Sequence, residues 1–223
     1  MQVLRAFPHK TGTYSAAVLD TALLAALSTP AIYIWVIKPF VDARDQTLAQ
    51  INQLASVDPL TQLANRRLLS THLEKAIAGI VRHRIFGALL LLDLDRFKPI
   101  NDSHGHNAGD AVLVEIAKRL QSITRSEDVV ARLGGDEFLV LISHLDIDER
   151  LARDRASLTA RKLINLVNEP IDFHGDTLHV GASIGIRLLG FEELDTETAI
   201  SEADSAMYRA KQAGRGRVVF FEK

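Results

Sequence analysis

Residues 58–223 are predicted to form an α+β domain with a ferredoxin-like β-α-β-β-α-β core, and three features of the sequence predict it. Gly87–Leu94 reads GALLLLDL, a nearly continuous apolar run of the kind found in a strand buried on both faces. Two short strand patterns, Asp128–Leu133 and Phe138–Ile142, flank Gly134-Gly135, a tight-hairpin signal. Amphipathic helical stretches lie between these strands and after them. Strand, helix, hairpin, helix and strand in that order is the ferredoxin-like arrangement.

Each element has its own warrant. Residues 66–81 read as a helix ahead of the first strand. Asn107–Thr124 places Val112, Ile116 and Leu120 on one helical face. Ile147–Asn168 reads as a further helix, His179–Leu189 as a strand, Glu197–Gln212 as a helix and Arg217–Phe221 as a closing strand. The sequence carries no internal repeat and no low-complexity stretch.

Composition narrows the function. Of 223 residues, 47% are hydrophobic and 24% charged, with a net charge of −2, which is globular and not disordered. A dedicated nucleic-acid surface would show a basic excess, and there is none. With no cysteine, disulfides, thiolate metal sites and a cysteine nucleophile are excluded.

The N-terminal part differs in kind. After a segment at 1–15, residues 16–37 read AAVLDTALLAALSTPAIYIWVI, whose sole charge is Asp20. A membrane-spanning helix needs about 20 mostly apolar residues. Tyr33 and Trp35 stand near the far end, where aromatic side chains favour the water interface, and Lys38 follows. Pro30 is better tolerated in a membrane helix than in a soluble one. A signal peptide would have a shorter apolar core and a small-residue cleavage site. A buried soluble helix is the alternative, because Asp20, Thr21, Ser28 and Thr29 make the segment only moderately apolar. Arg5 and Lys10 compete with Lys38 and Arg44, so charge does not orient the span. Residues 38–57 read as a helical linker with Val41, Leu48, Ile51 and Ala55 at heptad-like spacing. Arg44 interrupts that seam, and an amphipathic helix packed on its own domain is the competing reading.

The chemistry gathers in two acidic clusters. Asp93 and Asp95 close the apolar strand, and Asp136 and Glu137 sit in the hairpin. Carboxylates collected at strand ends repel one another unless a cation lies between them. Oxygen-only ligands suit Mg²⁺, commonly held by one or two carboxylates plus substrate phosphates. Either cluster alone would be an ordinary solvated turn. Together, beside Gly134-Gly135, they favour a nucleotide site.

On these residues the chain resembles the GGDEF family of diguanylate cyclases. Ala131–Phe138 reads ARLGGDEF, Asp58–Arg67 reads DPLTQLANRR and Asp93–Asp110 reads DLDRFKPINDSHGHNAGD. Gly181–Ile186 reads GASIGI, and Ala203–Arg215 reads ADSAMYRAKQAGR. These blocks follow the family's order and spacing over residues 58–223. The resemblance implies a palm-type version of the fold, with two Mg²⁺ or Mn²⁺ ions per GTP site. It implies metal binding by Asp93, the Leu94 carbonyl, Asp136 and Glu137, and catalysis by Asp136 and Glu137. Gly134 and Gly135 would let the backbone approach the nucleotide, since no Cβ obstructs it. Asn101 and Asp110 would read guanine, whose N1–H and amine a carboxylate can accept. Lys98, Lys211 and Arg215 would neutralise the triphosphate, helped by backbone amides around Phe97 and Lys98.

The resemblance also implies an inhibitory site for the product, cyclic di-GMP, at Arg125 and Asp128 of an RxxD pattern, with Arg155 as a second arginine. A surface Arg–Asp pair worth little is the plainer reading of that pattern. His104 and His106 are read as structural hydrogen-bonding residues, not metal ligands. Asp95 is read as pointing to the opposite face of its strand from Asp93, in a structural role. Gln62 and Gly216 depart from the family's usual glycine and asparagine.

The resemblance thus implies a diguanylate cyclase, working as a homodimer on two GTP molecules. The expected location is the bacterial inner membrane, with a single span and a cytoplasmic catalytic domain. Asp136, Glu137 and metal-bound hydroxide are all open as the group that takes the 3′-hydroxyl proton. A non-catalytic cyclic di-GMP or GTP receptor is the second reading, disfavoured because all five hairpin residues stand. A cyclase of another base choice is the third, disfavoured by Asp110. Residues 1–15 are too few to form a sensory domain.

Overall fold

The computed structural model describes residues 30, 32–41 and 56–222. The chain divides into two compact units, Met1–Ala55 and Ser56–Lys223. In the first, the described residues are helical, with a π-helical turn at Tyr33–Ile37 closed by the Lys38 amide donating to the Tyr33 carbonyl. Tyr33, Ile34, Trp35 and Phe40 are exposed. Among the described residues no helix is long and apolar enough to cross a membrane. Residues 16–29, most of the expected span, and 42–55, most of the expected linker, lie outside the described residues.

The second unit is built on a five-stranded sheet. Its helices are α1 (Arg66–His83), α2 (Phe97–His104), α3 (His106–Ile123), α4 (Glu149–Val167) and α5 (Thr196–Gln212). Its strands are β1 (Gly87–Asp95), β2 (Val129–Gly134), β3 (Glu137–Ile142), β4 (Ile171–Phe173), β5 (Asp176–Leu178), β6 (Gly181–Leu189) and β7 (Val218–Phe220). The order across the sheet is β2-β3-β1-β6-β7, with β4 and β5 forming a separate hairpin. β1 runs antiparallel to both neighbours, β2 is antiparallel to β3, and β7 joins the edge parallel to β6. The sheet is therefore mostly antiparallel, the ferredoxin-like core with one strand added.

β1 is central and buried along its whole length. Side chains alternate between faces along a strand, so Ala88, Leu90, Leu92 and Leu94 pack with α3 and α4, while Leu89 and Leu91 pack with α1 and α5. That two-sided burial is why the run lacks polar alternation. Each fully buried leucine contributes roughly 2 kcal/mol of transfer free energy. α5 sits hardest against the sheet. A Cβ on Gly185 of β6 would collide with the backbone of Ala203 and Met207, so glycine there sets how closely α5 approaches. Three helices are capped by side chains: Asn65 accepts from the Leu68 amide, Asp148 from Leu151 and Asp195 from Thr198. Such a cap is worth about 1 kcal/mol.

Two elements differ from the sequence-based expectation. The stretch before α3, to which the sequence pattern assigned no element, is a separate helix, α2, anchored by buried Phe97 and Ile100. The β4–β5 hairpin turns at His174-Gly175, both with positive φ, the geometry of a tight two-residue connection.

Candidate active site

The acids converge where β1 ends and the antiparallel β3 begins. Asp93 is the cross-strand partner of Glu137 in β3 and, across its other edge, of Ser183 in β6. The Leu94 amide donates to the Asp136 carbonyl at 3.2 Å, which fastens the hairpin tip to β1. Asp93 is 7% exposed, and Asp136 and Glu137 are half-buried. Burial pushes the Asp93 carboxyl above its usual range; a hydrogen bond from Lys211 pulls it back, and the charges of Asp136 and Glu137 push it up further. The Lys211 ammonium, from the last turn of α5, stands 2.6 Å from Asp93 Oδ2.

Asp95 is a correction. Residues two apart on a strand share a face, and Asp95 lies on the same side as Asp93, toward α5. It accepts from the Ser183 hydroxyl at 2.9 and 3.0 Å and from the Gly216 amide at 3.1 Å. The Arg215 guanidinium is 3.8 Å away. Asp95 thus ties the turn after α5 to the sheet, and that turn carries Arg215. Arg215 and Gly216 both have positive φ, which explains why a glycine serves where asparagine is usual.

Gly134 and Gly135 also have positive φ, and a Cβ at either would meet nothing within 4 Å. Their constraint is backbone conformation, and the space in front of them is open. Sequence reasoning missed what fixes this turn. Arg132 donates to the Gly135 carbonyl at 2.8 and 3.0 Å and to the Asp58 carboxylate at 3.2 and 3.3 Å. Asp58 in turn accepts from the Thr61 amide and hydroxyl at 2.8 and 2.6 Å. Burial works to raise the Asp58 carboxyl, but Thr61 and Arg132 outweigh it and hold it below the ordinary range. The signal was present in the DPLT and ARLGG blocks, yet nothing in either block says that they touch.

The nucleotide-side residues come from α2, α3 and α5. α2 starts at Phe97 after a left-handed Arg96, and no side chain caps it. Its first amides are of the kind that bind anions. Lys98 is exposed on that turn. Asn101 lies over Gly109, where a Cβ would overlap its amide oxygen, so the glycine seats Asn101 next to exposed Asp110. His104 and His106 end α2 and begin α3, and both are exposed.

The donors at Asp93, the Leu94 carbonyl, Asp136 and Glu137 are all oxygens. Among the described residues no group of three or more His, Cys, Asp or Glu side chains is arranged to hold a metal by itself. Carboxylates drawn from these three acids, with a carbonyl, would need phosphate oxygens or water to complete a shell, which is how Mg²⁺ is usually held. The residues fit a cation that shares its ligands with a nucleotide.

At the other end of β2, the Arg125 amide donates to Asp128 Oδ2 at 3.0 Å and the Asp128 amide to the Arg125 carbonyl at 3.1 Å. Among the described residues Asp128 Oδ1 is buried with no well-formed hydrogen bond; burial pushes this carboxyl up, and the Arg125 and Ser143 amides pull it back. Arg125, Asp128 and Arg155 line one cavity of about 540 Å³, with His144, Thr159 and Lys162. Arg155 is held by the Leu145 carbonyl at 2.6 Å and Asp146 at 2.9 Å. The RxxD spacing gave no hint of His144 or Lys162, which arrive from the end of β3 and from α4.

Comparison with known proteins places this geometry. The family profile described as diguanylate cyclase, GGDEF domain, matches residues 55–217. The bifunctional diguanylate cyclase/cyclic di-GMP phosphodiesterase MucR of Pseudomonas aeruginosa is 38% identical over 214 residues, 92% of this chain and 30% of that protein. The chain therefore spans less than a third of that relative's length. A structure comprising only the GGDEF domain of TpbB (YfiN) from Pseudomonas aeruginosa matches with a TM-score of 0.70 at 40% identity, covering 74% of this chain and 94% of that one. The GGDEF domain of DgcB from Caulobacter crescentus, in complex with c-di-GMP, matches at 0.68 and 27% identity, covering 75% and 94%.

Proposed function

This chain belongs to the GGDEF family of diguanylate cyclase domains, and from that premise we propose that it condenses two GTP molecules into cyclic di-GMP with release of two pyrophosphates. The observation that carries the proposal is the meeting of Asp93, Glu137 and Asp136 at one strand end, with Lys211 and Arg215 beside them. Asp93, Asp136, Glu137 and the Leu94 carbonyl would hold Mg²⁺ or Mn²⁺, two ions per site. When bound, the metal neutralises phosphate charge and orients the reacting oxygens.

The protein's own groups do the rest. Asn101 and Asp110 select guanine by accepting its N1–H and amine. The α2 amides around Phe97 and Lys98, with Lys98, Lys211 and Arg215, hold the triphosphate. Arg215 can fork onto two oxygens, and Lys211 acts as a point charge. The open face of the Gly134-Gly135 turn admits the nucleotide. Each domain offers half a reaction: the 3′-hydroxyl of one GTP attacks the α-phosphate of the other, so activity requires a homodimer. Asp136, Glu137 and metal-bound hydroxide are the candidates to take the hydroxyl proton. Most of the rate enhancement comes from positioning and electrostatics.

Cyclic di-GMP would bind back at Arg125, Asp128 and Arg155 and restrain the enzyme. The cavity that Arg125, Asp128 and Arg155 share and the exposed Arg125 side chain support this. We further propose a membrane anchor at residues 16–37 with the catalytic domain, residues 58–223, on the cytoplasmic side of a bacterial inner membrane. Anchor and linker would raise the local concentration of the dimer.

Incubation with labelled GTP or ATP and chromatography of the products tests the reading. Cyclic di-GMP from GTP alone, lost in Asp136→Ala and suppressed by added product unless Arg125 is changed to Ala, is expected. Undiminished cyclic di-GMP from Asp136→Ala would overturn the assignment.

A further inference from the structure

The resemblance gives Lys211 a task at the triphosphate, yet here its ammonium is engaged by Asp93 at 2.6 Å. Asp93 is deeply buried, whereas the Lys211 side chain keeps 30% of its surface exposed. One end of this pair is fixed and the other faces the open side of the site. The helix beneath Lys211 is packed directly on Gly185 of β6 through the backbone of Ala203 and Met207. The side chain can leave by rotating about its own four-carbon stem. The neighbouring cations are placed differently. Arg215 stands 3.8 Å from Asp95, whose oxygens already accept from Ser183 and Gly216, and Lys98 is exposed on α2.

We propose that Lys211 is the resident counter-ion of the nucleotide-free acid site, so that divalent cation and GTP enter as a coupled pair and not cation first. This rests on the reading of Asp93 as a cation ligand. A metal arriving alone must displace an ammonium from Asp93, and its apparent affinity falls by the fraction of time that Lys211 is elsewhere. A triphosphate offers Lys211 a second anionic partner and frees Asp93 at the moment a cation is needed. By thermodynamic linkage, the cation strengthens nucleotide binding by the same factor. Lysine suits the exchange because its charge is compact and its donors rotate, whereas a guanidinium would be tied to one planar geometry.

The test is Mn²⁺ binding to the full chain without nucleotide, followed by electron paramagnetic resonance. Lys211→Met should bind Mn²⁺ on the order of tenfold more tightly than the unaltered chain. Lys98→Met, which removes a solvated charge nearby, should change it by no more than about twofold. Lys211→Gln, with a polar end at the same exposed position, should move the same way as Lys211→Met. A non-hydrolysable GTP analogue should raise Mn²⁺ affinity more in the unaltered chain than in Lys211→Met. No tightening in either Lys211 variant, or equal tightening in Lys98→Met, overturns the counter-ion role while leaving the metal site standing. If the unaltered chain fails to bind Mn²⁺ even with the analogue, the acid site is no cation site and both readings fall.

Discussion

The two ends of β2 each carry an arginine near carboxylates, and the two arginines are used in opposite ways. At the start of the strand, the Arg125 side chain is 68% exposed and its nearest acid is Glu127 at 3.9 Å, a surface contact worth little. At the end, the Arg132 side chain is 12% exposed and spans from the Gly135 carbonyl to Asp58. Arg132 is part of the building: it fixes a turn whose geometry the hairpin acids depend on. Arg125 borders a cavity, beside the buried Asp128 carboxylate. An arginine with its donors spent on a backbone carbonyl and a partner carboxylate is structural; the loose one is the arginine we proposed for a ligand.

The sharpest way to break that contrast is to neutralise one acid at each end. Asp93→Asn should lower cyclic di-GMP production about 10³-fold, whereas Asp128→Asn should cost far less turnover. Both variants should nevertheless melt higher than the parent at neutral pH. Burial holds both carboxyls above their ordinary value of 3.8 in the folded chain. Between 3.8 and each raised value the folded state binds more protons than the unfolded one, so stability declines as pH rises through that window. Asparagine has no such dependence, and its advantage should grow upward from about pH 3.8 and then level off. Thermal melts of the three proteins across pH read this directly. A lower melting temperature for Asp93→Asn would mean that its pairing with Lys211 stabilises the empty domain, contrary to the direction of its shift.

The end of the sheet that carries the acids was the more legible in sequence, for physical reasons. A strand buried on both faces cannot hide its apolar run, so Gly87–Leu94 announced the strand and the acids at its end, and the structure extends it to Asp95. Hairpin chemistry did the same for Gly134-Gly135. α2 was illegible because its sequence, FKPINDSH, mixes a proline with Asn, Asp and Ser, all weak helix formers. It is helical because Phe97 and Ile100 are buried, which is tertiary packing overriding propensity. The β4–β5 hairpin has strands too short for periodicity to register, although His174-Gly175 carried a turn signal. Contacts between distant blocks, Lys211 with Asp93 and Arg132 with Asp58, follow from topology and have no local signature. The faces of Asp93 and Asp95 were readable from period two alone and were misassigned.

A smaller effect sharpens the structural half of the comparison. Arg132→Met keeps the aliphatic stem but strips the donors from Gly135 and Asp58. Charged hydrogen bonds of this kind contribute about 1.5–3 kcal/mol, so melting should fall by roughly 4–8 °C. Because the hairpin acids lose their brace, kcat should also fall about tenfold at temperatures well below the transition, where every molecule is folded. Purely structural support would lower the melting temperature and leave kcat untouched. The corresponding change at the other end, in exposed Arg125, should move stability by less than about 0.5 kcal/mol.

The smallest expected effect concerns Gln62, in the turn that presents Asp58 and Thr61. Its φ is 60°, the left-handed region that a residue with a Cβ enters at a cost of about 1–2 kcal/mol. This is the physical reason that glycine is usual at the position. Gln62 recovers part of that cost through its side-chain amide, which donates to the Pro59 carbonyl at 2.9 Å. Gln62→Gly removes the strain and the hydrogen bond together and adds freedom to the unfolded chain. The three contributions should leave a net gain of about 0.5 kcal/mol, or roughly 1–2 °C in melting temperature, with cyclase activity unchanged. A loss of stability would show that the bond to Pro59 outweighs the backbone strain. The turn would then be held by its side chains rather than by its dihedral angles, just as the hairpin is held by Arg132.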